Sequence, residues 1–223
     1  MTFLRQAWAI AAKDLAAEVH TKEMLSAMAV YAVLGLLTFS LALDLRGAAA
    51  RAVAPGVWWV LVTFAGMLGL SRSLGHEREE GAMDGLLLAP VDRGAILAGK
   101  ALANLLVILA VEAFLLPLCA ALLGVSLLQG GILVVILVAS VGYAVAGTLL
   151  AAMAVNTRAQ AVALPVLLLP MVAPVVVAAV QATAALLDGG TLGQVGGWLR
   201  LLVVYDLVVA AIALLAFPYV VEE

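Results

Sequence analysis

From Ala113 to Thr157 the chain carries no charged residue, and the runs from Met24 to Leu43, Ala159 to Leu187 and Leu207 to Val221 are equally bare. No water-soluble fold leaves windows of that length uncharged, because its surface has to be made of something polar. Only 11% of the 223 residues are charged and 66% are hydrophobic, against roughly 25% charged in ordinary soluble domains. Mean hydropathy is +1.22. Six spans are read, at 24–43, 53–74, 95–123, 127–155, 159–187 and 198–221. Each reaches the roughly 20 residues that cross about 30 Å of hydrocarbon. The reading is an all-α membrane protein, a single domain over 1–223, with no room for a soluble domain.

Before the first span, residues 1–22 are a helix of another kind. Leu4, Trp8, Leu15 and Val19 share a face with Ala11 and Ala12, while Gln6, Lys13 and His20 fall opposite. This pattern predicts an amphipathic helix lying in the headgroup layer, or packed on the protein's own spans. Trp8 suits that depth. The run into Ala48-Ala49-Ala50 is too long for a signal-peptide core and follows a partly acidic segment, so cleavage there is not expected. The net charge of −3 points to no nucleic-acid partner. The lone Cys119 excludes an internal disulfide.

Orientation follows from Lys and Arg. Arg5, Lys13, Lys22, Arg72, Arg78, Arg93, Lys100 and Arg158 fall on one side, and Arg46, Arg51 and Arg200 on the other. The richer side is cytoplasmic. Both termini are then expected inside, and 76–94 becomes the largest cytoplasmic loop. That loop reads HEREEGAMDGLLLAPVDRG. Its acidic start belongs in water. Ala82 to Leu88 predicts a short helix with Met83, Leu86 and Leu87 on one face. Pro90 stops it and Asp92 caps the next helix. Two apolar turns are not stable uncovered, so either lipid headgroups or a groove on a cytoplasmic partner covers them.

Other motifs carry less. Gly94-Ala95-Ile96-Leu97-Ala98-Gly99-Lys100 matches G-x-x-x-x-G-K, but Ala101 stands where Ser or Thr would hold Mg²⁺ and no soluble strand precedes it. Lys100 reads more simply as an anchor at a span end. His20 and His76 lie outside the spans, which offer no histidine ligand for haem and no metal cluster. Glu112 and Asp206 lie near the middle of spans three and six. Such carboxyls are functional candidates facing the bundle or a wet cavity, or else protonated groups bonded to a neighbouring helix. Pro165, Pro170 and Pro174 predict a kinked or broken fifth span. Gly142, Ala146, Gly147 and Ala151 give span four two small-xxx-small pairs. Trp58 and Trp59 follow Pro55-Gly56, where the outer aromatic belt is the default reading and substrate stacking the alternative.

Taken together, the interfacial helix, six spans and the loop between spans two and three resemble the ABC-2 type permease fold. Three segments are similar to CcmB, the membrane permease family of cytochrome c maturation and haem export: FLRQAWAIAAKDLAAE, residues 52–104, and LPVLLLPMVAP at 164–174. The resemblance implies a chain that binds no cofactor and is not itself an enzyme. ATP is bound and hydrolysed by a separate CcmA-like subunit. Glu79, Glu80, Gly81, Ala82, Met83, Asp84, Gly85, Leu86, Leu87 and Leu88 match the coupling-helix motif that would enter that subunit. It also implies CcmC-like and small CcmD-like membrane partners, a CcmE-like haem chaperone outside the membrane, a second copy of the chain, and a bacterial inner-membrane location. Haem is then the exported or handled ligand, or the permease is a mechanical link to a haem-handling partner. A non-transporting scaffold that assembles the ATPase and that partner is the alternative, as is another ABC-2 type exporter. A proton-coupled carrier using Glu112 and Asp206 leaves the loop without a role. Glu112 maps onto no motif of the family.

Overall fold

A computed structural model describes residues 2–42, 47–79, 91–155 and 160–222. It is all-helical in its regular structure. Helix α1 spans Phe3–Thr21, α2 Glu23–Ala42, α3 Gly47–Glu79, α4 Arg93–Leu123, α5 Gly130–Val155, α6 Gln160–Leu187 and α7 Gly196–Glu222. Helices α2 to α7 are each long and apolar enough to cross a membrane. Six crossings bring both chain ends to one side of the bundle, called here the terminal end, and α1 lies there.

The cores of the spans fall where the uncharged windows place them, and their ends differ. The second expected span, 53–74, belongs to a helix that starts at Gly47 and continues to Glu79. The Ala-rich run 48–50 is good helix sequence, and Pro55 is tolerated within it. The fourth span, expected at 127–155, is α5, which begins at Gly130 after an irregular stretch. Helix α6 runs without interruption through Pro165, Pro170 and Pro174, so of the kink or break expected there, the break does not occur. Helix α7 bonds it beside Pro174: Tyr205 Oη donates to the carbonyl of Met171 at 2.9 Å.

Helix α1 is amphipathic as expected, and its buried residues Ala7, Ile10 and Ala11 pack on the protein while Leu4, Trp8 and Val19 stay exposed. It ends at Lys22, which takes a left-handed φ of 56° and turns the chain into α2. Its main partner is α4. Contact is close because Gly99 has no side chain; a Cβ there would strike the Ala7 carbonyl and Ile10. Lys100 is 1% exposed and lies 3.5 Å from Asp14, which Lys13 also meets at 3.0 Å. Residues 94–100 are thus the opening turns of a helix seated on α1. The phosphate-loop reading fails for want of a loop. Asp92 caps α4 as its sequence position suggests, accepting from Gly94 N at 2.8 Å and Ala95 N at 3.3 Å.

Helices α3 and α5 form the middle of the bundle, with 67% of each span window buried, while α2 and α7 form its edges at 22%. The small residues of α5 serve two neighbours. Gly142 admits Asp206 and Tyr205 of α7, and Gly147 admits Leu70 of α3. Both are close approaches that a side chain would prevent.

Candidate functional site

Several of the buried polar groups that the spans carry are paired across helices. Helices α4 and α5 run antiparallel, and two hydrogen-bonded rungs join them. Asn104 Nδ2 donates to Thr148 Oγ1 at 2.9 Å. Eight residues further along α4, and eight back along α5, Ser140 Oγ lies 3.0 Å from both carboxyl oxygens of Glu112. One antiparallel register therefore places both rungs, about 12 Å apart at 1.5 Å per residue. All four residues are buried. Between the rungs, α4 presents Val107, Ile108 and Val111, also buried. A buried carboxyl or amide left without a partner is costly, so the rungs oppose sliding of α4 along α5.

Within one turn, α5 addresses three neighbours. Ser140 faces α4, Gly142 receives Asp206 of α7, and Tyr143 Oη donates to the Thr63 carbonyl of α3 at 2.6 Å. The two mid-span carboxyls therefore flank the same turn of α5. They are not equivalent. Glu112 is 2% exposed, and the one hydroxyl of Ser140 lies within hydrogen-bond distance of both its oxygens. Asp206 is half-buried, and its enclosed Oδ1 has no partner among the described residues.

Trp58 and Trp59 do not form an outer belt. Both are buried in the core cluster. Because α3 begins at Gly47, Trp59 stands 12 residues in, about 18 Å along the helix axis. Its Nε1 donates to Thr183 Oγ1 of α6 at 3.0 Å. Trp58 Nε1 is enclosed without a partner among the described residues. Neither ring offers an open face for stacking.

At the terminal end, a cavity of about 140 Å³ lies where α1 meets α2, α3 and α4. Lys13, Asp14, Glu18, Glu23, Arg72 and Asn104 are among its lining residues. Asn104 is thus both the first rung and part of the cavity wall. Among the described residues no cluster of His, Cys, Asp and Glu could hold a metal ion.

Of the expected coupling residues, Glu79 is the last residue of α3, while Glu80, Gly81, Ala82, Met83, Asp84, Gly85, Leu86, Leu87 and Leu88 lie outside the described residues. The short helix expected at 82–88 lies there too. Sequence reasoning named Glu112 and Asp206 but missed Ser140, Asn104, Thr148, Tyr143 and Thr183. The one available signal was the shared register: Asn104 and Glu112 are spaced as Ser140 and Thr148 are.

No curated protein matches the chain. Residues 5–223 match the family described as CcmB protein. That match spans essentially the whole chain and agrees with the six apolar helices. The chain therefore belongs to the CcmB family, the membrane permease subunits of haem-exporting ABC transporters in cytochrome c biogenesis.

Proposed function

We propose that this permease converts ATP hydrolysis in a separate CcmA-like subunit into movement of its spans, and so drives haem export or the release of a haem-loaded CcmE-like chaperone. CcmC-like and CcmD-like membrane proteins are the further partners of this reading. The terminal end then faces the cytoplasm of a bacterial cell, in line with eight of the eleven Lys and Arg residues falling on that side.

The observation that carries the reading is the way α3 and α4 hold the segment between them. Helix α3 continues beyond its span window, which ends at Ser73, to Glu79. Helix α4 begins at Arg93 on a capped turn and is clasped to α1 through Gly99 and the Lys100–Asp14 pair. A push on the intervening segment is delivered to two stiff helices and to α1 together. The rungs then pass a shift of α4 to α5, which packs against α3, α6 and α7 as well.

The test is Leu87→Asp. An unpaired charge buried in a partner contact costs on the order of several kcal/mol, so the ATPase subunit should dissociate on purification while the bundle still inserts. Glu77→Gln should do little, since it removes a charge and buries none. An ATPase that stays bound to Leu87→Asp, with cytochrome c maturation intact, would remove the coupling role. Maturation that persists when the bound ATPase cannot hydrolyse ATP would assign the chain to a scaffold instead.

A further inference from the structure

We infer that the cavity between α1 and the terminal ends of α2, α3 and α4 binds the headgroup of a zwitterionic lipid, its phosphate held by Arg72 and Ser73 of α3 and its primary ammonium by Glu23 of α2.

The polar side chains around the cavity fall into two sets. The first is already committed. Asp14 meets Lys13 and Lys100, and Glu18 accepts from Leu25 N. Thr21 donates to the Ala17 carbonyl, and Asn104 to Thr148. The second set is open. Arg72, Ser73 and Glu23 line the same cavity. Among the described residues their side chains take part in no hydrogen bond or ion pair, with each other or with any other group.

This remainder selects the chemistry of the ligand. A guanidinium with a hydroxyl beside it offers paired donors, which suit the oxygens of a phosphate. A carboxylate on the neighbouring helix calls for a cation that carries N–H groups. The two charges face one cavity and do not meet, so a ligand bearing both signs a few atoms apart satisfies both at once. Phosphoethanolamine has that form. A choline headgroup has no N–H to give Glu23, and a glycerol headgroup has no positive charge. Met24, Ala103 and Val107 add buried apolar wall, which suits the carbon atoms of such a ligand better than a hydrated inorganic ion. The cavity of about 140 Å³ admits a group of several heavy atoms, since one water needs about 10–15 Å³.

The depth points to a lipid as the source. Glu23 opens the apolar window of α2, and Ser73 closes that of α3. Both therefore stand at the border of the hydrocarbon, where headgroups lie. Helix α1, which forms the other wall, exposes Leu4, Trp8 and Val19 at the same end of the bundle, as a helix lying in that layer does. The site stands independently of coupling to an ATPase.

The experiment strips the full chain of lipid in detergent and titrates it with phosphatidylethanolamine, phosphatidylcholine and phosphatidylglycerol of identical tails. Bound lipid is counted by native mass spectrometry. One phosphatidylethanolamine per chain is expected, held about five- to fiftyfold more tightly than the other two, the range of one charged hydrogen bond. Glu23→Gln should bring phosphatidylethanolamine down to the level of phosphatidylcholine and leave phosphatidylcholine unchanged. Arg72→Gln should weaken all three. Arg5→Gln, an exposed cation of α1 outside the cavity, should weaken none. Equal retention of the three lipids, an ethanolamine preference that survives Glu23→Gln, or an Arg5→Gln effect as large as that of Arg72→Gln would each overturn the inference. Soluble phosphoethanolamine binding as tightly as the lipid would overturn the lipid source. If Glu23→Gln does not insert, the order of the three lipids on the unchanged chain decides: choline or glycerol bound as tightly as ethanolamine overturns it.

Discussion

Ser140 and Glu112 are joined in the middle of the bundle by a single hydroxyl placed 3.0 Å from both oxygens of a fully enclosed carboxyl. The geometry is that of a structural tie, with the donor on one helix and the acceptor on the next.

Glu112→Gln should therefore be nearly silent, because an amide oxygen still accepts from Ser140. Ser140→Ala is the harsher change. It leaves a buried carboxyl without a donor and should cost about 1–3 kcal/mol, read as a lower unfolding temperature in detergent. Loss of cytochrome c maturation in Glu112→Gln, with normal insertion, would assign the carboxyl a functional role instead.

Gly142→Ala should destabilise by about 1–3 kcal/mol, because the new methyl group falls on Asp206 and Tyr205 and forces α5 and α7 apart. Gly56, also helical, has open space where a Cβ would stand. There the same substitution should stabilise by about 0.4–1 kcal/mol. Thermal unfolding of the two variants side by side checks the contrast.

Asp14→Ala should loosen α1 more than Lys100→Met does. The carboxylate of Asp14 serves both Lys13 and Lys100, so its removal takes a partner from a buried ammonium as well as from an exposed one. A loss of about 1.5–3 kcal/mol is expected. Faster proteolysis within 3–21 would report it.

Gly81→Cys should resist a membrane-impermeant thiol reagent applied from outside intact cells, and react once the membrane is opened. The native Cys119 is buried and supplies little background. Labelling of intact cells would invert the orientation proposed for the terminal end.

The spans were legible because charge is excluded from them so completely; one long uncharged window needs no tertiary information to be read. Their ends were not. Ala48 to Arg51 reads equally well as a link or as a helix start, and taking it as a link put Trp58 and Trp59 at the membrane surface. Starting α3 at Gly47 moves both rings into the core. Glu112 was visible as an anomaly, whereas its partner was not. A lone serine in an apolar helix is unremarkable until the register of α4 against α5 is known. The prolines of α6 show a related limit: sequence counts the helix hydrogen bonds they remove, and cannot tell that the helix nonetheless continues from Gln160 to Leu187 with Tyr205 of α7 bonded to its Met171 carbonyl.

The corner between α1 and α2 ties the surface helix to the first span more tightly than its position suggests. Glu18, in the last turn of α1, accepts the backbone N–H of Leu25 at 2.7 Å, a donor in the first turn of α2 that has no partner of its own. One helix thus supplies the missing end of the next. Peeling α1 from the bundle would unravel the entry of α2, so damage done at the surface would be felt where the chain first enters lipid.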